Sequence, residues 1–588
     1  MATRDLSPNA LSAHPRADAW CGWTLCATLF ATALVFSFRL TSFLHAKEAV
    51  LHLGLLLVGL GWTARRDWTV FAGYRPLWFG LAVVAILWLV AVEPAVRPLA
   101  LEELERVIAL LLFGSLSIGL CARPVWRQRV RWALVLSAGA VALLGLAQYA
   151  GMLGWLLPRF PEYTQPVYSV MGNQDLFGGY LAMAAPLAGV LFLRTAPAPR
   201  SGRAVFGWAA LFAVLLAGLV VSESRSAWLA AAVGLALVVP FSAGRRRTAL
   251  FAALMLCVFL AVTVAATWER TSVRLFDTFS PEDVGGNARL WFWAGTWRMI
   301  EAAPWMGVGP GNYAYWSPLF LGRALLAHGP GMFHNEQHTL HAHSEPLELL
   351  AETGVAGALF LCWMLFRLVR RRGPEWPALA ALLVFACFNA ALHSAPHALA
   401  GLVLAGMLLM REAPAAPKAG RAAAAAVVAS CIVIPAVFAA IVLVPSYLLC
   451  AAEDAHVRGE DPRALYRRVF HWGWPDARAR EEYGMALLEA EQPEAAYGAF
   501  LRARDGLDTG RLYLNLAQTA SALEDDEMAA RWAVACLMRW PWHREAWQFA
   551  APQSGAPLPP GWAKALRRWR PAAFTASESQ AASPPGGR

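Results

Sequence analysis

Apolar stretches of about twenty residues recur along the chain and are separated by short turns rich in arginine, proline or glycine. Such runs are apolar on every side rather than along one stripe, which marks helices solvated by lipid. About 20 helical residues cross a hydrocarbon core of about 30 Å, and only a helix or a closed barrel satisfies its own backbone there. The pattern predicts spans near 20–38, 48–64, 77–93, 107–121, 132–154, 174–193, 204–221, 226–243, 248–267, 347–366, 376–392, 396–410 and 423–446. The fourth, eighth and twelfth are the weakest, so the expectation is an all-α, multi-pass membrane protein of 12–13 spans.

Four stretches interrupt this pattern. Residues 1–19 are polar and lead into further spans rather than a cleavage site, so the first apolar run reads as an anchor. A long loop occupies 268–346, and after Pro445 the composition turns to charged, helix-forming sequence. There, small and apolar residues recur every 34 positions: Ala486 with Ala520, Ala496 with Ala530, Phe500 with Val534. That period points to tetratricopeptide-like helical hairpins over 452–565, with a binding or positioning role. Gln518 departs from the repeat, and 572–588, rich in Ser, Ala, Pro and Gly, reads as a disordered tail.

Composition agrees with a membrane protein: of 588 residues, 58% are hydrophobic and only 15% charged, with a mean hydropathy of +0.44. The net charge of +10 does not point to nucleic acid, because the basic residues are dispersed among alternate loops. Arg65, Arg66 and Arg75 lie in one such loop, Arg123, Arg127, Arg129 and Arg131 in the next, and Arg245–Arg247 and Arg370–Arg372 in later ones. A bias of this kind marks the cytoplasmic side. It places 268–346 and the region after 447 outside, and a miscount of one span would flip the latter. The nine cysteines include no CxxC pair, so neither a disulfide framework nor a zinc knuckle is indicated.

Ionisable groups beside a membrane are costly, and those at outward span ends are candidates for chemistry. Arg225 lies in the short turn Ser222-Glu223-Ser224-Arg225-Ser226. It either snorkels or pairs with Glu223, or it binds an anion through its two-pronged fork. Arg289 opens the aromatic stretch Leu290-Trp291-Phe292-Trp293, ahead of Pro304-Trp305-Met306-Gly307-Val308-Gly309, which by itself reads as an interfacial helix and a tight loop. His334, His338, His341 and His343 cluster before Glu345, Glu348 and Glu352. They are solvated loop residues, a general base, or part of a metal site, although no metal-ligand spacing is present.

The run from His343 through Glu352 to Gly357 resembles the signature that follows the long outer loop in O-antigen ligases and their polymerase-like relatives. It stands in the same order as the Ser224–Ala227 turn, the Arg289 helix, the Pro304/Gly307/Gly309 turn and the earlier Gly172-Asn173-Gln174-Asp175 segment, so the likeness covers roughly 170–366. The resemblance implies a helical membrane fold that moves a glycan from an undecaprenyl-diphosphate carrier to an acceptor at the periplasmic face of the inner membrane. It implies diphosphate contacts from Arg225 and Arg289, and His343 as the base activating the acceptor hydroxyl. His341, His338, Glu345, Asn173 and Asp175 are secondary candidates, and neither metal nor cofactor is expected. O-antigen or exopolysaccharide polymerases and protein O-oligosaccharyltransferases share this core, so lipid A-core, a growing glycan or a protein remain possible acceptors. The repeat region and the extra histidines depart from simple ligases, and the region could recruit a protein partner. A rival of another class is a polysaccharide export scaffold or transporter; charged candidates at span ends rather than inside spans weigh against a conduit.

Overall fold

A computed structural model describes residues 15–65, 96–154, 156, 167–194, 202–238, 284–328, 339–371, 373–409, 421–472 and 476–550. Among these there are helices and turns and no strand: the chain is an all-α, multi-pass membrane protein. The helices that build the bundle are α1 (Pro15–Leu34), α2 (Phe43–Arg65), α3 (Arg97–Cys121), α4 (Pro124–Tyr149), α5 (Gln174–Arg194), α6 (Gly202–Val221) and α7 (Arg225–Ala236). Next come α8 (Val284–Ala302) and α9 (Tyr313–His328), then α10 (Glu345–Val369), α11 (Trp376–Ala386), α12 (Ala395–Leu409) and α13 (Arg421–Phe438). Six helices among the described residues are long and apolar enough to cross a membrane: Phe43–Ala64, Arg97–Cys121, Pro124–Tyr149, Gln174–Arg194, Glu345–Val369 and Ala425–Val457. The spans expected at 77–93 and 248–267 lie outside the described residues.

Burial separates the roles of these helices. Every residue of α5 from Phe177 to Leu191 is buried, among α4, α6, α7 and α11. By contrast Leu359, Phe360, Trp363, Phe366 and Val369 of α10 are exposed apolar side chains, the face expected of a helix against lipid. Close approach to α5 depends on small residues: a Cβ on Gly178 would fall 2.6 Å from Ser222 Oγ and 2.9 Å from Ala227 Cβ. The first turn of α5 therefore sits directly against the Ser222–Ala227 turn.

Several boundaries differ from those the sequence suggested. The run 376–392 is not one span: α11 stops at Ala386, and the chain turns through Asn389 and His393 before α12. The span placed at 226–243 is helical only over Arg225–Ala236 among its described residues. No break follows Pro445; α13 passes through a π-helical segment, Ala439–Leu443, into α14 (Val444–Val457). The wider turn lies just before Pro445, whose ring would otherwise crowd the carbonyl four residues earlier.

The helix α14 leads into α15 (Arg463–His471), α16 (Ala477–Glu489), α17 (Pro493–Ala503), α18 (Gly510–Ala522), α19 (Asp526–Leu537) and α20 (Arg544–Phe549). Leu449 and Ala452 of α14 share one core with Tyr466, Val469, Ala479 and Ala486, so the membrane helix and these hairpins form a continuous packed body. Gly322 of α9 meets the backbone of Met538 and Arg539, which places the hairpins on the same side of the bundle as the long loop.

The long loop is clamped to α10 by backbone. Val308 and Gly309 donate N–H groups to the carbonyls of Ala351 and Glu352, both at 2.9 Å, and Val355 donates to Pro304 at 2.9 Å. The helix breaks there, at Gly354, with φ 61° and ψ −160°, a region open essentially to glycine alone. A Cβ on Gly354 would stand 2.3 Å from the carbonyl carbon of Trp305. Gly354→Ala should therefore cost about 1–3 kcal/mol from backbone conformation alone, seen as a lower Tm of the detergent-purified protein; an unchanged Tm would mean that the clamp relaxes freely.

Candidate functional site

The site forms where the starts of α5, α7 and α10 meet α8 and the turn after α11, at one end of the bundle. The opposite end collects Arg123, Arg194, Arg370 and Arg371. Asn173 begins α5 as a cap: its Oδ1 accepts the N–H of Asp175 at 2.7 Å and of Leu176 at 3.3 Å. The Asp175 carboxylate is thereby fixed in the first helical turn, where the helix dipole favours negative charge.

Asp175 ties three elements together. Its Oδ2 accepts Arg289 Nη2 at 2.9 Å, and its Oδ1 accepts the Ser224 hydroxyl. Ser224 Oγ lies 3.2 Å from Ser226 Oγ, which in turn accepts Asn389 Nδ2 at 2.8 Å. Asn389 Oδ1 faces Arg289 Nη2 at 3.5 Å, so five side chains from four segments close a ring of polar contacts. Arg225, the first residue of α7, sits between the two serines of that ring and is half-buried.

His343 approaches from the loop before α10. Its ring stacks on Phe292, 5.7 Å between centroids at 19°, and Phe292 lies one helical turn beyond Arg289 on α8. The base candidate and the guanidinium thus share a face. Burial, with the charge of Arg289 next, holds His343 below the ordinary histidine value, so it is a neutral imidazole able to take a proton. Its φ of 51° is unusual for a residue other than glycine and shows a backbone held by its surroundings.

A second cluster lies alongside. His341 Nδ1 is 2.8 Å from Glu348 Oε1, and the Ala342 N–H donates to Glu348 Oε2 at 2.8 Å. The His393 ring is 4.1 Å from that of His341 and reaches Glu345 Oε1 at 3.3 Å and Glu348 Oε1 at 3.4 Å. Despite burial, those two carboxylates raise His393 to about 10. His341, Glu348 and His393 present three donor atoms within 4.8 Å of one another, a spacing that a metal ion could bridge. The adjoining Arg106, which donates to Leu392 O at 2.8 Å, and a protonated His393 already supply positive charge there.

Residues 210–362 match the family model described as O-Antigen ligase. Over this segment the chain is similar to O-antigen ligases. No curated protein matches the chain. The match supports glycan transfer within a membrane, and it includes Arg225, Arg289, His341, His343 and Glu345.

Helices flanking the matched segment complete the polar site. Asp175 precedes the matched segment, and Asn389 and His393 follow it. The fold brings the expected Asp175, Arg289 and His343 into one place, with His341 and Glu345 in the cluster beside them. Asn173 acts as a helix cap, and His338 and His334 lie outside the described residues. Asn389 and His393 were missed because an apolar run concealed them. The signal was available, since a polar or ionisable residue inside such a run is a functional candidate by default.

Asp175 carries most of the restraint on Arg289. A hydrogen bond to a charged partner is worth about 1.5–3 kcal/mol, so Asp175→Ala should lower glycan transfer about ten- to hundredfold at normal protein level. Transfer within twofold of the unaltered protein would show that Arg289 is placed by other contacts.

Proposed function

We propose that the protein transfers an oligosaccharide or polysaccharide from an undecaprenyl-diphosphate carrier to an acceptor hydroxyl at the periplasmic face of the bacterial inner membrane. The observation that carries this reading is the closed ring that holds Arg289 beside a neutral His343, with Arg225 between its two serines. In the reaction the acceptor oxygen bonds to the anomeric carbon as the bond from that carbon to the carrier phosphate breaks. The diphosphate leaves with the electron pair. Arg225 and Arg289 meet its growing charge with planar, permanently charged forks, so no step calls for a metal ion.

The acceptor proton passes to His343. A positioned imidazole contributes about 10²–10⁴-fold. One displacement inverts the anomeric centre, and no covalent enzyme intermediate forms. Lipid A-core is the acceptor a ligase role calls for; a growing glycan or a protein hydroxyl would use the same machinery. The carboxy-terminal hairpins, on the same side of the bundle as the loop, are suited to hold the acceptor or a protein partner.

Transfer from an undecaprenyl-diphosphate-linked donor in membranes tests the assignment. His343→Ala should reduce turnover about 10²–10⁴-fold, and Arg225→Ala and Arg289→Ala should abolish detectable product. The labelled product would identify the acceptor. Full activity in all three variants would discard the site and favour an export scaffold. Because burial, with the charge of Arg289 next, holds His343 below the ordinary histidine value, the acidic limb of the activity profile should lie at lower pH than a free imidazole would give; a limb above the free value would contradict the assignment.

A further inference from the structure

The cluster beside the transfer site contains an imidazole that the reaction scheme does not use. We propose that His393 is a positioning residue, clamped between Glu345 and Glu348, which through Glu348 fixes the turn that aims His343 at the acceptor. This inference rests on the transfer reading above. His393 Nδ1 hydrogen-bonds Glu345 at 3.3 Å, and its Nε2 lies 3.4 Å from Glu348 Oε1, within ion-pair distance, so the ring stands between two carboxylates. An imidazolium meets both carboxylates with its charge, whereas a neutral ring offers a single N–H.

Glu348 is the link to the base. Its Oε1 receives His341 Nδ1 and its Oε2 receives the Ala342 N–H, so one buried carboxylate grips the two residues immediately before His343. His343 needs that grip, because a φ of 51° persists only where neighbouring contacts over-determine it. A buried carboxylate without a cation would itself be costly, and His393 supplies the charge. The groups facing His393 are Glu345 and Glu348 of α10, His341 of the loop and Arg106 of α3, the last paired with Glu103. Arg106 also holds the turn at Leu392, while Glu345 accepts the Leu392 N–H at 2.5 Å. The His393 turn is thus pinned from two helices.

Geometry favours this clamp over a bound metal. A metal on Nε2 would need that nitrogen deprotonated and would place a divalent charge beside the Arg106 guanidinium. Glu345 and Glu348 already flank the two ring nitrogens.

Three measurements on the full-length protein decide the matter. Histidine nitrogen NMR of the unaltered protein at about pH 8 should show one imidazole protonated on both nitrogens; its absence would overturn the clamp and needs no variant. His393→Gln should lower kcat about tenfold or more with donor KM nearly unchanged, because the two arginines stay in place. It should also move the acidic limb to higher pH, since Glu348 would then act on His343 without an opposing charge. His393→Lys, which restores a cation, should recover part of kcat. Wild-type kcat and an unmoved limb in His393→Gln, with His343→Ala and Arg289→Ala inactive, would overturn the positioning role while leaving the transfer reading intact. Full activity in His343→Ala and Arg289→Ala would instead overturn the transfer reading. A stoichiometric divalent metal in the purified protein, lost in His393→Gln, would replace the clamp with a metal site.

Discussion

A guanidinium at the edge of a bilayer must have its charge met before any substrate arrives, and the contact between Arg289 and Asp175 does this. Asp175 is itself fixed by the Asn173 cap and by the close fit of α5 against the Ser222–Ala227 turn. Its second oxygen engages Ser224, and the ring closes through Ser226 and Asn389. The start of α5, the start of α7, the long-loop helix α8 and the turn after α11 are therefore mutually located by one carboxylate and its partners.

The membrane helices divide their work by burial. α5 is surrounded by protein and gives the bundle a rigid centre, so its amino-terminal turn is a fixed platform for Asp175. α10 faces outward along Leu359, Phe360, Trp363 and Phe366, yet its first turns carry Glu345, Glu348 and Glu352 into the loop module. The break at Gly354 reconciles these roles, because it separates a polar, loop-bound segment from an apolar, lipid-facing one. Glu352 belongs to the loop's support rather than to its chemistry, since it accepts the Tyr313 N–H at the start of α9.

Continuity between α13 and α14 gives the carboxy-terminal hairpins a stiff attachment. A flexible linker would let those helices sample many orientations. Here one helix enters their core, and α9 of the long loop contacts them near Met538. Anything held by the hairpins is thus held on the side of the bundle where Arg289 and His343 lie.

The sequence by itself determined the membrane class, because lipid demands apolar residues all round a helix and that demand is written in composition and run length. It also marked Arg225, Arg289 and His343, since charged or titratable groups at span ends are costly enough to stand out, and the ligase-like order of motifs assigned them roles. What only the tertiary structure decided was partnership. Nothing local links Asp175 to Arg289 or His393 to Glu348; those contacts arise when helices far apart in the chain pack end to end. The turn at Asn389 and His393 was hidden for the same reason. A run of apolar residues reads as a span whether it crosses the membrane or folds back to complete a site, and the difference lies in hydrogen-bond partners that residues distant in sequence supply.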